Sequence, residues 1–275
     1  MTDLSLILDA IGQLDDAEID LADAALQLAR RAAPEGDLHE ARAHLSLMAR
    51  AAAALASDLD ILDLPGCAAM LSSLLAEEFG YRGDSETYDD LDNANLIRVI
   101  ERRRGLPVAL GIIWLHAARA TGWEAFGINF PGHFLVGLGA GNHQVVLDVF
   151  DGGRIMSIED LRKILRRVHG KRVALRREML APMTNRDILL RLHGNIRSRQ
   201  ELRGQSHAAL ITLRDMLRIA PEEPHLWLEA AVLHQQHDEI AATLDCFDRF
   251  LALVPEGAAA ERVRGEAREL RGRMN

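Results

Sequence analysis

Two residues in this chain have the types and spacing for acid–base chemistry. His133 follows a Pro-Gly pair in "FGINFPGHFL", Phe126 to Leu135, and Asp148 lies fifteen residues on in "VVLDVFDGG". The segments around them are rich in β-branched and aromatic residues and broken by Gly, Pro and Asn, which predicts short antiparallel strands. A histidine and a carboxylate on neighbouring strands make up two thirds of a nucleophilic triad. The carboxylate fixes the imidazole tautomer, and the imidazole takes a proton from a third group. The usual third group is a thiol or a hydroxyl. The chain holds two cysteines, Cys67 and Cys246. Each sits in an apolar helical stretch and reads as a small buried thiol. Ser157 reads as a helix cap. A metal set of His133, His143 and Asp148 has the right ligand types. His143, however, follows the "GAGN" turn, at the far end of its strand, so no metal and no cofactor is expected. Asn129 precedes His133 by four residues, which puts both on one side of an uninterrupted strand and makes Asn129 a candidate cleft residue.

Those strands need a frame. Helical stretches fill the N-terminal third. "LADAALQLARRAA" stops at Pro34 and Gly36, and "DLHEARAHLSLMARAAAALAS" opens on Asp37, an N-cap with Glu40 three residues later. "GCAAMLSSLLAEEFG" ends at Gly80, and the polar "YRGDSETYDDLDNANL" leads into "NLIRVIERRRG", capped by Asn95. Then "PVALGIIWLHAARATG" runs from Pro107 to Gly122 with almost continuous apolar character, which marks a central, buried helix. After the strands, "SIEDLRKILRRVHG" returns to helix with Ser157 and Asp160 as a capping pair. Helices and a small sheet packed on a central helix make an α+β domain.

Beyond Arg177–Asn185 the chain reads as helix alone, and it repeats. "HAALITLRDMLRIAPE" (207–222) and "AATLDCFDRFLALVPE" (241–256) align at a shift of 34, with Pro221-Glu222 over Pro255-Glu256. A period of 34 with a proline closing the second helix is the tetratricopeptide signature. Helices are expected at 185–202, 206–219, 223–236, 240–253 and 257–273.

The net charge of -9 argues against a general nucleic-acid binder. Charge is uneven: residues 1–100 hold 6 Lys/Arg against 20 Asp/Glu, and residues 154–203 hold 14 against 5. The basic segment either docks an acidic partner or is simply solvated. Two distant cysteines make no disulfide framework. The first residues lack a basic n-region and a cleavage site, and no apolar run reaches the about 18 residues that span a bilayer. A cytoplasmic protein without membrane attachment is expected.

The stretch "NLIRVIERRRGLPVALGIIWLHAARATGWEAFGINFPGHFLVGL", with "LDVFDGG" after it, resembles the transglutaminase-like domain of SirB-type bacterial proteins. In those proteins tetratricopeptide repeats follow the domain, the order found here. The resemblance implies a papain-like α+β domain within residues 1–181 and a repeat tail over 182–275. It also implies a cysteine at the start of the central helix, facing a histidine and an aspartate on adjacent strands. His133 and Asp148 match the last two, and Ala109 matches the nucleophile position. An alanine methyl cannot attack a carbonyl, and Val108 and Leu110 beside it are equally inert. Three roles stay open for His133 and Asp148: a buried hydrogen bond between strands, a site for a small molecule or peptide end, or hydrolysis of amides or esters by a water that His133 activates. The expected function is a non-catalytic scaffold or regulatory protein that binds a protein or peptide. The alternative is a cysteine-independent hydrolase or transferase at His133 and Asp148.

Overall fold

The computed structural model describes residues 4–170 and 173–273. Lys171 and Arg172, in the basic segment, lie outside the described residues. In chain order the helices begin with α1 (Leu4–Gln13), α2 (Leu21–Ala29), α3 (Leu38–Ala56) and α4 (Leu64–Ser72), which continues as a π-helical turn over Ser73–Glu78. Strand β1 (Arg82–Gly83), α5 (Leu96–Arg102), β2 (Arg104–Gly105) and α6 (Pro107–Ala120) follow. Next come β3 (Glu124–Phe130), β4 (His133–Ala140), β5 (His143–Asp148), β6 (Arg154–Ile155) and α7 (Ile158–His169). The chain closes with α8 (Asn185–Leu202), α9 (Ser206–Ile219), α10 (Pro224–Gln236), α11 (Ile240–Leu253) and α12 (Ala258–Arg273).

Two compact units emerge. Asp15–Leu192 form one, and the described residues up to Leu14 join those from His193 onward in the other. The division therefore falls inside α8 and not at the expected 181/182, and α1 leaves the segment to which the sequence assigned it. The reason lies on one face of α1. Leu8 and Ile11 are buried, and Asp9 accepts from Arg218 of α9 through both carboxylate oxygens at 2.7 Å. Gly12 lies so close to the Arg218 carbonyl that a Cβ would not fit.

In the Asp15–Leu192 unit, β3, β4, β5 and β6 form an antiparallel sheet in sequence order, and β1 pairs with β2 in parallel. The sheet is covered on both sides. Phe134 fills the space over Gly111 of α6, while Phe126, Ile128, Phe130, Leu135 and Val146 form a cluster with Leu161 and Leu165 of α7. Burial on both faces is why β4 reads as a nearly continuous apolar run and not as an alternating one. Helix α6 is the centre of this core, and every residue from Pro107 to Leu115 is buried. The helix starts follow their caps. Asp37 accepts from the His39 and Glu40 backbone, Asn95 from Arg98, and Ser157 exchanges bonds with Asp160 in a capping box.

The second unit is helical. Helices α9 and α11 begin 34 residues apart, at Ser206 and Ile240, and end 34 apart, at Ile219 and Leu253. Their buried faces repeat with the same shift: Ala209, Thr212, Leu213 and Met216 in one, Thr243, Cys246, Phe247 and Phe250 in the other. Spacings of three and four give each helix one apolar stripe to bury against its neighbours. Among the described residues no helix is long and apolar enough to cross a membrane.

Candidate functional site

His133 opens β4 and Asp148 closes β5, and the hairpin between them brings the two together. His133 Nε2 lies 2.9 Å from Asp148 Oδ1. The same oxygen accepts from the backbone N–H groups of Phe150 at 3.1 Å and Asp151 at 3.4 Å, so Asp148 also caps the short 3-10 turn Val149–Asp151. The side chains are 14% and 12% exposed. Burial pushes the Asp148 carboxyl up; the His133 hydrogen bond and charge and the two backbone donors outweigh it, and the net shift is downward. An ionised carboxylate only accepts, so Nε2 is the protonated nitrogen of the pair, and in the neutral imidazole the lone pair then lies on Nδ1. The pair can therefore present an oriented base or hydrogen-bond acceptor.

Aromatic rings frame it. Phe150 meets His133 edge to face at 6.5 Å, and Tyr88 meets Phe150 in the same way at 5.9 Å. Gly83 of β1 lies against the Phe150 ring with no room for a side chain. The loop carrying Tyr88 is pinned by Asp84, which accepts from Glu86 N, Thr87 N, Thr87 Oγ1 and Arg102 Nη2. Phe150 and Tyr88 carry no sequence signal beyond an aromatic placed two residues after Asp148 and another in a polar loop.

Ala109 lies where the linear match puts it, fully buried in the first turn of α6. Its direction differs from what a nucleophile position requires. Gly111 takes the Phe134 ring and Trp114 approaches Gly153, so these two mark the sheet side of α6. At 3.6 residues per turn Ala109 points about 200° away from Gly111. It shares its side with His116, whose Nε2 is 3.3 Å from the Leu45 carbonyl of α3. The first-turn residue in phase with Gly111 and Trp114 is Pro107. Neither it nor its neighbours Val108, Ala109 and Leu110 carries a nucleophilic atom.

Asn129 is also displaced from its expected place. Phe130 pairs with His133 and Asn129 with Phe134, so Pro131-Gly132 is a two-residue turn and not a stretch of strand. Gly132 takes φ 75° there. Counting four residues across that turn fails: Asn129 and His133 fall on opposite faces of the sheet, and Asn129 is exposed. His143 begins β5 while Asp148 ends it, roughly 16 Å apart in an extended strand. Among the described residues no group of three His, Cys, Asp or Glu is placed to hold a metal. Cys67 and Cys246 are both buried.

A helix-centred α+β unit agrees with comparison to known proteins. The model of the transglutaminase-like superfamily matches residues 38–194, more than half of the chain, and the chain belongs to that superfamily. Within it, relatives run along almost the whole sequence. A UPF0162 protein of Xylella fastidiosa (strain Temecula1) is 30% identical over 264 residues, covering 94% of this chain and 93% of its own. A UPF0162 protein of Vibrio cholerae is 28% identical over 255 residues, covering 92% and 93%. The mouse F-box only protein 21 is 30% identical over 81 residues, 30% of this chain and 13% of that protein.

Proposed function

We propose that this chain is a non-catalytic member of its superfamily that binds a protein or peptide partner as a scaffold or regulatory module. The observation that carries this is the first turn of α6. Pro107, Val108, Ala109 and Leu110 are all buried and all lack a nucleophile. The two thiols offer no substitute. Burial raises the pKa of Cys67 and pushes that of Cys246 up to about 11, which disfavours the reactive thiolate. On this reading the His133–Asp148 hydrogen bond joins two strands, each group satisfying the other.

Partner binding is assigned to the helical unit, read as tetratricopeptide-like repeats in the order of SirB-type proteins. The 34-residue spacing of α9 and α11 supports that reading, because stacked helix pairs leave grooves for extended chains. So does a cleft of about 610 Å³ among α1, α9, α10 and α11. Leu217, Trp227 and Leu253 line it together with Arg214 and Arg249. Its size and apolar lining suit a bound side chain or peptide segment.

The test is turnover of generic amide, ester and isopeptide substrates by the wild type and His133→Ala. No turnover by either is expected. Turnover by the wild type that is lost in His133→Ala overturns the proposal in favour of a hydrolase or transferase that uses a water activated by His133.

A further inference from the structure

We propose that the outward face of α7 is a docking surface for an acidic segment of a partner protein. From Leu161 to Arg177 the sequence holds eight Arg or Lys and no Asp or Glu, while the rest of the chain holds 24 against 41. Six of the eight lie among the described residues, and all six are exposed. Helix α7 sets four of them on one surface. Leu161 and Leu165 turn inward onto the apolar side chains of the sheet. At 3.6 residues per turn, Arg162, Lys163, Arg166 and Arg167 then fall on the outer side. The layer beneath is apolar and supplies no carboxylate to neutralise them.

The acids at the start of the helix are already shared. Glu159 lies 3.9 Å from Arg162 and 3.4 Å from Arg166. Asp160 lies 3.2 Å from Arg154 and 3.5 Å from Lys163, and it also closes the Ser157 capping box. Asp151 is taken by Arg154 at 2.7 Å, and Glu178 follows only after the basic run has ended. Arg167 has no ion-pair or hydrogen-bond partner among the described residues. Two carboxylates among four helix cations leave positive charge for an incoming anion. The kind of anion follows from what else the face carries. The run 161–177 contains no Phe, Tyr or Trp, so it offers no ring on which bases stack. A nucleic acid longer than the patch also passes over the acidic remainder of the chain and is repelled there. The apolar stripe of α7 is buried in the core, so the helix cannot enter a bilayer by it. A short run of Asp or Glu meets none of these obstacles. Arg162 to Arg167 rise about 7.5 Å along the helix, a length that about three extended acidic residues cover. The surface belongs to the Asp15–Leu192 unit, whereas the cleft assigned to a partner above belongs to the helical unit.

Fluorescence polarisation of labelled deca-glutamate against the full chain tests the surface. Binding with a Kd on the order of 100 µM is expected at low ionic strength, since exposed ion pairs are individually weak. It is expected to weaken several-fold near about 0.15 M salt. Arg166→Glu/Arg167→Glu is expected to weaken binding at least about tenfold while melting at the wild-type temperature, because both side chains point to solvent. The milder Arg166→Gln/Arg167→Gln is expected to weaken it about threefold. Arg262→Glu/Arg268→Glu makes the same change in net charge at exposed positions of α12 and is expected to stay within about twofold of wild type. No binding of deca-glutamate at low salt overturns the proposal. Equal losses in the α7 and α12 variants overturn it too, because net charge alone then explains the binding. So does tighter binding of a ten-nucleotide single strand or of phosphatidylserine-containing vesicles than of the peptide.

Discussion

Replacing Asp148 with alanine removes one acceptor that three donors share. His133 Nε2–H, Phe150 N–H and Asp151 N–H all converge on Oδ1. The site is largely closed, since the Asp148 side chain is 12% exposed. A buried donor left without a partner costs about 1–3 kcal/mol, and loss of a helix cap costs about 1 kcal/mol. Removing the carboxylate also relieves its own desolvation, so the net loss is about 2–4 kcal/mol rather than the full sum. For a unit of this size that is a fall in Tm of roughly 5–15 °C. Trp114 and Trp123 lie in the Asp15–Leu192 unit, so their near-ultraviolet signal follows its melting. Asp148→Asn keeps an oxygen for the backbone donors and is expected to lose less. The pH dependence has a definite sign. Because the folded carboxyl titrates below its ordinary value of 3.8, its contribution is complete above the unfolded value and disappears as pH falls through the folded one. The gap between wild type and Asp148→Ala is therefore expected to narrow in acid. An Asp148→Ala Tm unchanged from wild type, or a gap that widens on acidification, refutes the account of the shared acceptor.

Two other outcomes check the remaining geometry. Ala109→Cys is expected to react with iodoacetamide no faster than Cys67 or Cys246, because residue 109 is fully buried and faces α3 and not the sheet; faster labelling than at both native thiols contradicts the helical phase. Arg218→Ala removes the bidentate contact to Asp9, whose partners are 38% and 50% exposed, so it is expected to cost under about 1 kcal/mol. Its effect is expected as faster amide exchange in α1 alone, and unchanged exchange there means that Leu8 and Ile11 suffice to hold the helix.

The sequence shows most clearly what local rules decide. The tail helices are legible because a period of 34 and two Pro-Glu pairs fix both ends of α9 and α11. The hairpin at "GAGN" is legible because Gly141 supplies the positive φ that the turn needs. The His133–Asp148 pair follows from placing two strands side by side. What fails depends on direction or distance. The side on which Ala109 lies is a matter of helical phase, set by which residues of α6 receive Phe134 and Gly153, and a linear motif does not carry phase. The misplacement of Asn129 comes from counting strand parity through a turn. Nor does any local signal tie α1 to α9, because the stripe of Leu8 and Ile11 would suit any apolar neighbour.

The clasp between α1 and α9 has a consequence for how the chain is made. About 200 residues separate Leu8 from the helix that covers it. At ribosomal speeds that interval is roughly 10–40 s, during which α1 has emerged and its partner does not yet exist. The Asp15–Leu192 unit, by contrast, is complete in sequence before α9 is translated. It can fold first, as an insert between two severed parts of the helical unit. The helical unit is then completed last, by joining the beginning of the chain to its end.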